Sequence, residues 1–249
     1  MAKQSGLGDN FYVTGYNLSG DTANLGRLAA PLATLDVTGI DKSAMERIGG
    51  HRDGAMEWTT YFNNATAHAH PVLKALPAAD IIATYARGTA VGSPAACLLG
   101  KQINYDPTRA ADGSLTAAVQ VQANSYGIEW GQLLTTGAQT LTGADDGASI
   151  DTAASADFGA QAYLHVFDIQ GTDATVKLQG STDDSSWGDI TGGAFTALGE
   201  TDDHTAERIA TSATETIPRY VRVSVETTGG FTSLTFAVVV VKNKVAVVF

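Results

Sequence analysis

From Asp36 to Asn63 the chain changes its pattern several times, and few folds accommodate that order. An extended lead-in passes into a short helix candidate, then a glycine turn, then an alternating strand. The helix is expected over Ile40–Ile48, with Asp41 as cap and Lys42, Ala44, Met45, Glu46 and Arg47 as good helix formers. Gly49-Gly50 should end it, because glycine takes left-handed backbone angles without steric cost. Asp53-Gly54 then opens a strand. Met56, Trp58, Thr60 and Phe62 fall on one face of it, and Glu57, Thr59, Tyr61 and Asn63 on the other. A half-buried strand and one short helix point to a mainly β fold, and no catalytic constellation surrounds them.

Further strands are expected along the first half. Asn10–Tyr16, Asp80–Arg87, Ala95–Ile103 and Tyr126–Leu134 read as strands, and Ser114–Ala123 alternates cleanly. His70–Ala75 can form a helical turn with Pro71 in its first turn. Residues 136–157 are rich in Gly, Ala, Ser, Thr and Asp without a sustained apolar period, so they read as a linker. Beyond it, Phe158–Ile169, Ala174–Ser181, Ala194–Leu198, Glu207–Ala210, Arg219–Glu226 and Phe231–Val241 suggest short strands of a β-sandwich, either immunoglobulin-like or jelly-roll. The expected organisation is therefore an assembly domain over 1–135, a linker over 136–157 and a separable sandwich over 158–249. A last apolar strand, Lys244–Phe249, is expected to dock on this sheet or on a neighbouring subunit.

Charge narrows the function classes. The 249 residues include 16% charged residues and carry a net charge of −11. Free monomers average about 25% charged. Either surface is covered by other chains, or a Thr/Ser/Gly-rich β protein shows this composition by itself. Residues 1–135 carry nine Lys and Arg against eleven Asp and Glu; residues 136–249 carry six against fifteen. A chain this acidic is a poor phosphate-gripping protein. The start, MAKQSGLGDNFY, has no signal-type apolar core, and Phe236–Val241 and Val245–Phe249 are too short to span a membrane, so cytoplasmic synthesis without membrane insertion is expected.

Each candidate for chemistry has a plainer reading. His68 and His70 could share a strand face and bind a metal, but no third ligand follows and Pro71 marks a loop. The run Asp183-Asp184-Ser185-Ser186-Trp187-Gly188-Asp189 offers oxygens for calcium, yet it lacks the spacing of a helix-flanked loop and reads as a hairpin turn. Asp145-Asp146, Asp202-Asp203 and Asp151 with Asp157 are acid clusters in solvated loops, where general acid-base work has no cleft. Cys97, the single cysteine, lies among apolar neighbours as a structural thiol. No catalytic, cofactor-binding or metal-ligating residue is assigned, and no cofactor is implied.

Four ordered blocks carry a family likeness: GLGDNFYVTGYNLSGD, LDVTGIDKSAMERIGGHRDGAMEWTTYFN, AHPVLKALPAADIIATYARG and CLLGKQINYDPTRAADGSL. Through them residues 1–135 resemble the major tail tube proteins of long-tailed, siphovirus-type bacteriophages, especially those of actinobacterial hosts. The resemblance implies a β-barrel or sandwich core with a short helix and a long loop. It also implies hexameric rings that stack into a tube, contacts to other tail proteins, and passage of the genome through the channel. Ala55–Asn63 and Ser114–Ala123 would belong to the ring-forming sheet, and the loop residues Gly20–Leu35 or His51–Gly54 would mediate ring or stacking contacts. TVKLQGSTDDSSWGDI and RYVRVSV resemble discoidin-type or galactose-binding-like jelly rolls. The alternatives are a capsid-decorating or tail-tip structural protein, or a carbohydrate-binding adhesin using Trp187, Tyr163 or Tyr220.

Overall fold

A computed structural model describes residues 5–247. In chain order the strands are β1 (Asn10–Val13), β2 (Tyr16–Asn17), β3 (Thr22–Ala29), β4 (Leu32–Asp36), β5 (Arg47–Arg52), β6 (Ala55–Tyr61), β7 (Ile81–Ala86), β8 (Pro94–Arg109), β9 (Leu115–Ala123) and β10 (Glu129–Leu133). They continue as β11 (Gln139–Leu141), β12 (Asp145–Asp146), β13 (Ile150–Asp151), β14 (Ala160–Gly171), β15 (Ala174–Ser181), β16 (Gly188–Ala194), β17 (Thr205–Ala210), β18 (Tyr220–Thr227) and β19 (Phe231–Lys242). The helix α1 (Ala69–Leu73) follows β6. The fold is mainly β, as expected, and its named strand pairings are antiparallel.

One twelve-stranded sheet organises the chain, with its spine in the order β17-β14-β19-β10-β8-β7-β1-β2. Strand alternation sends side chains to two faces, and both are covered. Ala160, Leu164, Phe236, Val238 and Val240 of β14 and β19 pack on Val176, Leu178, Val221 and Val223 of the five-stranded sheet β12-β18-β15-β16 with β13. That is the expected C-terminal sandwich. At the other end, Phe11, Val13, Ile81, Ala83, Ala96 and Leu98 pack on Met56, Trp58, Val119 and Val121, with Ala69 and Leu73 of α1 closing the cluster. The opposite face of the spine gathers Ile82, Cys97, Leu133, Tyr163 and Val239, and beside them Tyr12, Phe167 and Ala237. The spine curls around this interior until the β1–β2 turn meets β14, where the Gly15 N–H donates to His165 Nδ1 at 3.3 Å. No ladder joins β2 to β17, so the curl is not a closed barrel.

The two halves thus have a core each at their ends, and share both a sheet and the interior cluster of Ile82, Cys97, Leu133, Tyr163 and Val239. Gln132 and Leu133 of β10 pair with Val240 and Val239 of β19. The stretch 136–157 is stitched down rather than slack, through β11 on β19 and β12 and β13 on β18. A buried ion pair fastens the same junction. Arg208 Nε and Nη2 reach Glu129 Oε2 and Oε1 at 2.9 and 3.0 Å, Tyr163 OH also donates to Glu129, and the guanidinium lies 3.7 Å from the Tyr126 ring centroid.

Four local expectations need correction. Ile40–Ile48 is not a helix. β4 and β5 form a hairpin with Leu35 opposite Ile48, and Val37 N–H donates to Glu46 O at 3.0 Å. The helical propensity survives only as one turn, Lys42 N–H to Gly39 O, and a Lys42–Glu46 contact of 3.6 Å. A short exposed helix has no packed face to offset its nucleation cost. Thr22–Ala29, read as part of a loop, is a full strand on β6. The strand expected at Ala194–Leu198 lies earlier, at β16; Phe195 instead turns into the core, and Leu198 makes only an isolated bridge to Ala174. The expected strand at Lys244–Phe249 does not form over Lys244–Val247, where Val245 is 64% exposed; Val248 and Phe249 lie outside the described residues.

Candidate assembly surface

The spine branches into a second antiparallel run, β3-β6-β9-β8, because β8 is long enough to serve both. Its first half pairs with β7 and β10, and its second half, Gly100–Arg109, pairs with β9. Gly100 permits the handover, since a Cβ there would sit 2.1 Å from Gln122 O. Among the described residues, Lys101–Arg109 has no strand on its other side, and neither has β3 beyond β6. The run therefore ends in two edges that lack a partner strand among the described residues, although Asn104 O accepts from Gln102 Nε2 and Thr22 N–H donates to Leu18 O.

Its inner face is Met56, Trp58, Thr60, Ala117, Val119 and Val121, all buried. Register places Asn24, Arg27, Glu57, Thr59, Asn104, Asp106, Ala118 and Gln120 together on the outer face. Arg27 pairs with Glu57 at 3.1 Å, and Asn104 Nδ2 donates to Asp106 Oδ2 at 2.7 Å. This outer face is polar and nearly balanced in charge, with no basic stripe. Beyond β3 the chain leaves the sheet as the β4–β5 arm, a two-stranded hairpin that among the described residues pairs with no other strand. Leu32, Leu35, Val37, Ile40, Met45 and Ile48 on it are 47–108% exposed. A lone hairpin with an uncovered apolar surface is marginal in water.

The residues singled out for chemistry are dispersed. His68 Nδ1 bonds Asp21 Oδ2 at 2.9 Å, whereas His70 bonds Tyr105 OH at 3.0 Å and lies tilted against the Phe62 ring. Among the described residues no group of three or more His, Cys, Asp and Glu is placed to hold a metal. Asp183 accepts Ser185 N–H and Ser186 N–H at 3.0 and 2.8 Å, which holds its carboxyl well below the usual range and organises the turn. Asp146 is bound by Arg222 and Ser224, and Asp157 by Thr216. Asp202 accepts Gly199 N–H, and Asp203 accepts Ile169 N–H at 2.6 Å. Asp151 pairs with Arg219 at 2.7 Å, which brings its carboxyl down to about 2. Burial pushes the Cys97 thiol up to about 12. Of the three aromatic candidates for a sugar platform, Tyr163 is fully buried, Trp187 is covered by Arg222 at 4.4 Å and Tyr220 lies under Arg219 at 5.0 Å.

Asp21 has no sequence signal as a hub. It accepts Asn63 Nδ2 and the Ala69 N–H that opens α1, at 2.8 and 2.9 Å, and its partners lie more than forty positions away. No helix among the described residues is long and apolar enough to cross a membrane.

No protein-family model and no curated protein matches the chain. Among solved structures it is similar to the Dit protein of phage SPP1, described as a paradigm of the hub adsorption apparatus in phages infecting Gram-positive bacteria. That match has 7% identity, covers 92% of this chain and 98% of that one, and has a TM-score of 0.32. It is also similar to the phage p2 baseplate in its activated conformation, with strontium and with calcium. Each of these matches has 8% identity, covers 95% of this chain and 99% of that one, and has a TM-score of 0.36. At these scores the likeness fixes neither a family nor a role.

Proposed function

We propose that this chain is a structural subunit of a bacteriophage tail tube, assembling in the virion into stacked hexameric rings whose channel conducts the genome. The observation that carries the reading is the β3-β6-β9-β8 run, with a free edge at each end and a polar, nearly neutral outer face. Joining β3 of one copy to distal β8 of the next is a head-to-tail contact, which closes into a ring when its rotation closes. Pro107 lacks an N–H, so the neighbouring strand would pair upstream of it. The outer face would then line the channel, where weak charge lets a polyanion pass without being gripped. Ala55–Asn63 and Ser114–Ala123, assigned to the ring-forming sheet by resemblance, are the neighbours β6 and β9 in this run.

On this reading residues 1–135 form the assembly domain, 136–157 the connection and 158–249 an outer sandwich. The β4–β5 arm, which holds Leu32–Leu35 and His51–Arg52 from the two segments expected to make ring or stacking contacts, is the element that would reach an adjacent ring. Negative-stain microscopy of purified protein over a concentration series tests the proposal. Six-fold rings that stack into tubes are the expected result. A strict monomer at high concentration refutes it, and single rings that never stack favour a tail-tip or capsid-decorating role.

A further inference from the structure

The place where the curled spine meets itself is built from a glycine and two imidazoles. Gly15 sits at φ +73° in the β1–β2 turn. A Cβ there would lie 2.4 Å from Val166 O and 2.5 Å from the His204 carbonyl carbon, so bare backbone presses on β14 and on the lead-in to β17. The Gly15 N–H donates to His165 Nδ1 at 3.3 Å. Because Nδ1 accepts, the neutral ring carries its proton on Nε2 and donates it to Thr84 Oγ1 at 2.9 Å. Thr84 Oγ1 donates in turn to Cys97 Sγ at 3.4 Å. On the other side of the turn, His204 Nδ1 donates to Gly15 O at 3.1 Å, and its ring stacks on Tyr16 at 4.2 Å.

His165 is fully buried, and among the described residues no acid pairs with it. The groups facing it are Tyr12 from β1, Gly15 from the turn, Thr84 from β7 with Cys97 of β8 behind it, and Phe167 from its own strand. The buried pair Glu129 and Arg208 elsewhere in this interior balances its own charge. A second proton on the ring would go to Nδ1, the atom that now accepts from Gly15. Two donors would then face each other and a buried cation would lack a counter-ion.

We propose that this junction is an acid-operated seam: protonation of His165 parts the β1–β2 turn from β14 and β17 and uncovers Cys97, while the remaining ladders stay paired. Burial pushes the closed-state imidazole down to about 3. An opened ring in water titrates near the ordinary value of about 6.5. The closed seam is therefore fully favoured above about pH 6.5, and opening gains up to tenfold per unit as pH falls toward the closed-state value. By pH 5 the open population rises about thirtyfold over its value at pH 7.5.

The single thiol reports the opening directly. Its rate of reaction with 4,4′-dithiodipyridine, divided by that of free cysteine at the same pH, should rise about thirtyfold from pH 7.5 to pH 5 in wild-type protein. The rise should disappear in His165→Gln and persist in His204→Gln. Its dependence on low urea should be shallow compared with that of global unfolding. A flat wild-type rate, an equal rise in His165→Gln, or a urea slope equal to that of global unfolding overturns the proposal. If His165→Gln does not fold, hydrogen exchange of wild type decides. The amide of Gly15 should lose protection at pH 5, after correction for intrinsic exchange, while that of Val238 keeps it. Parallel loss at both positions counts against a seam.

Discussion

Replacing Arg208 by Met isolates the fastening between the two halves of the chain. The guanidinium donates twice to Glu129, at 2.9 and 3.0 Å, and the two side chains are 6% and 9% exposed. Removing it leaves a buried carboxylate whose remaining side-chain hydrogen-bond partner is Tyr163 OH. Breaking one side of a buried pair costs about 3–5 kcal/mol, because the surviving charge keeps its desolvation penalty. At about 2–4 °C per kcal/mol for a chain of this size, the melting point should fall by roughly 6–20 °C. Glu129→Gln alone should also destabilise, by stranding the guanidinium. The double variant should be more stable than the two losses predict, with a coupling of about 1–3 kcal/mol, since neither charge is then left behind. Urea denaturation of all four proteins measures the cycle without the ionic screening of guanidinium. A loss below about 1 kcal/mol for Arg208→Met, or strictly additive losses, refutes the view that this pair fastens β10 to β17.

Other expectations follow from the same contacts. Gly15→Ala should cost about 1–3 kcal/mol from backbone strain alone and more from its clash with Val166 O, readable as a lowered urea midpoint. Truncation after Thr135 strips β19 from β10 and uncovers Cys97 and Leu133, so the fragment should lack a cooperative thermal transition; a sharp melt would show that the first core stands alone. Asp21→Ala removes the acceptor for Ala69 N–H at the start of α1 and should cost about 0.5–2 kcal/mol by chemical denaturation. Replacing the arm tip, residues 37–46, by a two-residue turn should leave the unfolding free energy from urea titration within about 0.5 kcal/mol of wild type and, on the proposed function, abolish rings in the microscope.

The sequence was most legible where one physical signal dominated. Ser114–Ala123 alternates, and β9 spans Leu115–Ala123 with Ala117, Val119 and Val121 inward. The run FAVVVV is buried on both faces, as β19 is. Trp58 and Met56 fell on the buried side of β6, but Phe62 lies past its end and is partly exposed. Legibility failed where tertiary pairing overrode local propensity. Ala44 to Arg47 favour a helix, yet nothing packs on it and the flanking strands pair instead. TANLGRLA has too weak an alternation to announce β3, although β3 forms one edge of the candidate surface. The hub at Asp21 and the His165 chain join residues too distant in sequence for any spacing rule to find.

The shared sheet also sets an order of events during synthesis. Val238 N–H donates to Thr135 Oγ1 across 103 positions, and β19 is the strand that covers the exposed side of β10. At about 5–20 residues per second, the ribosome needs roughly 5–20 s to bridge that gap. Throughout the delay the nascent first core presents an open strand edge and an uncovered apolar face, with copies on neighbouring ribosomes doing the same. This interval is the point of greatest exposure to mispairing during synthesis, and a holding chaperone would act here.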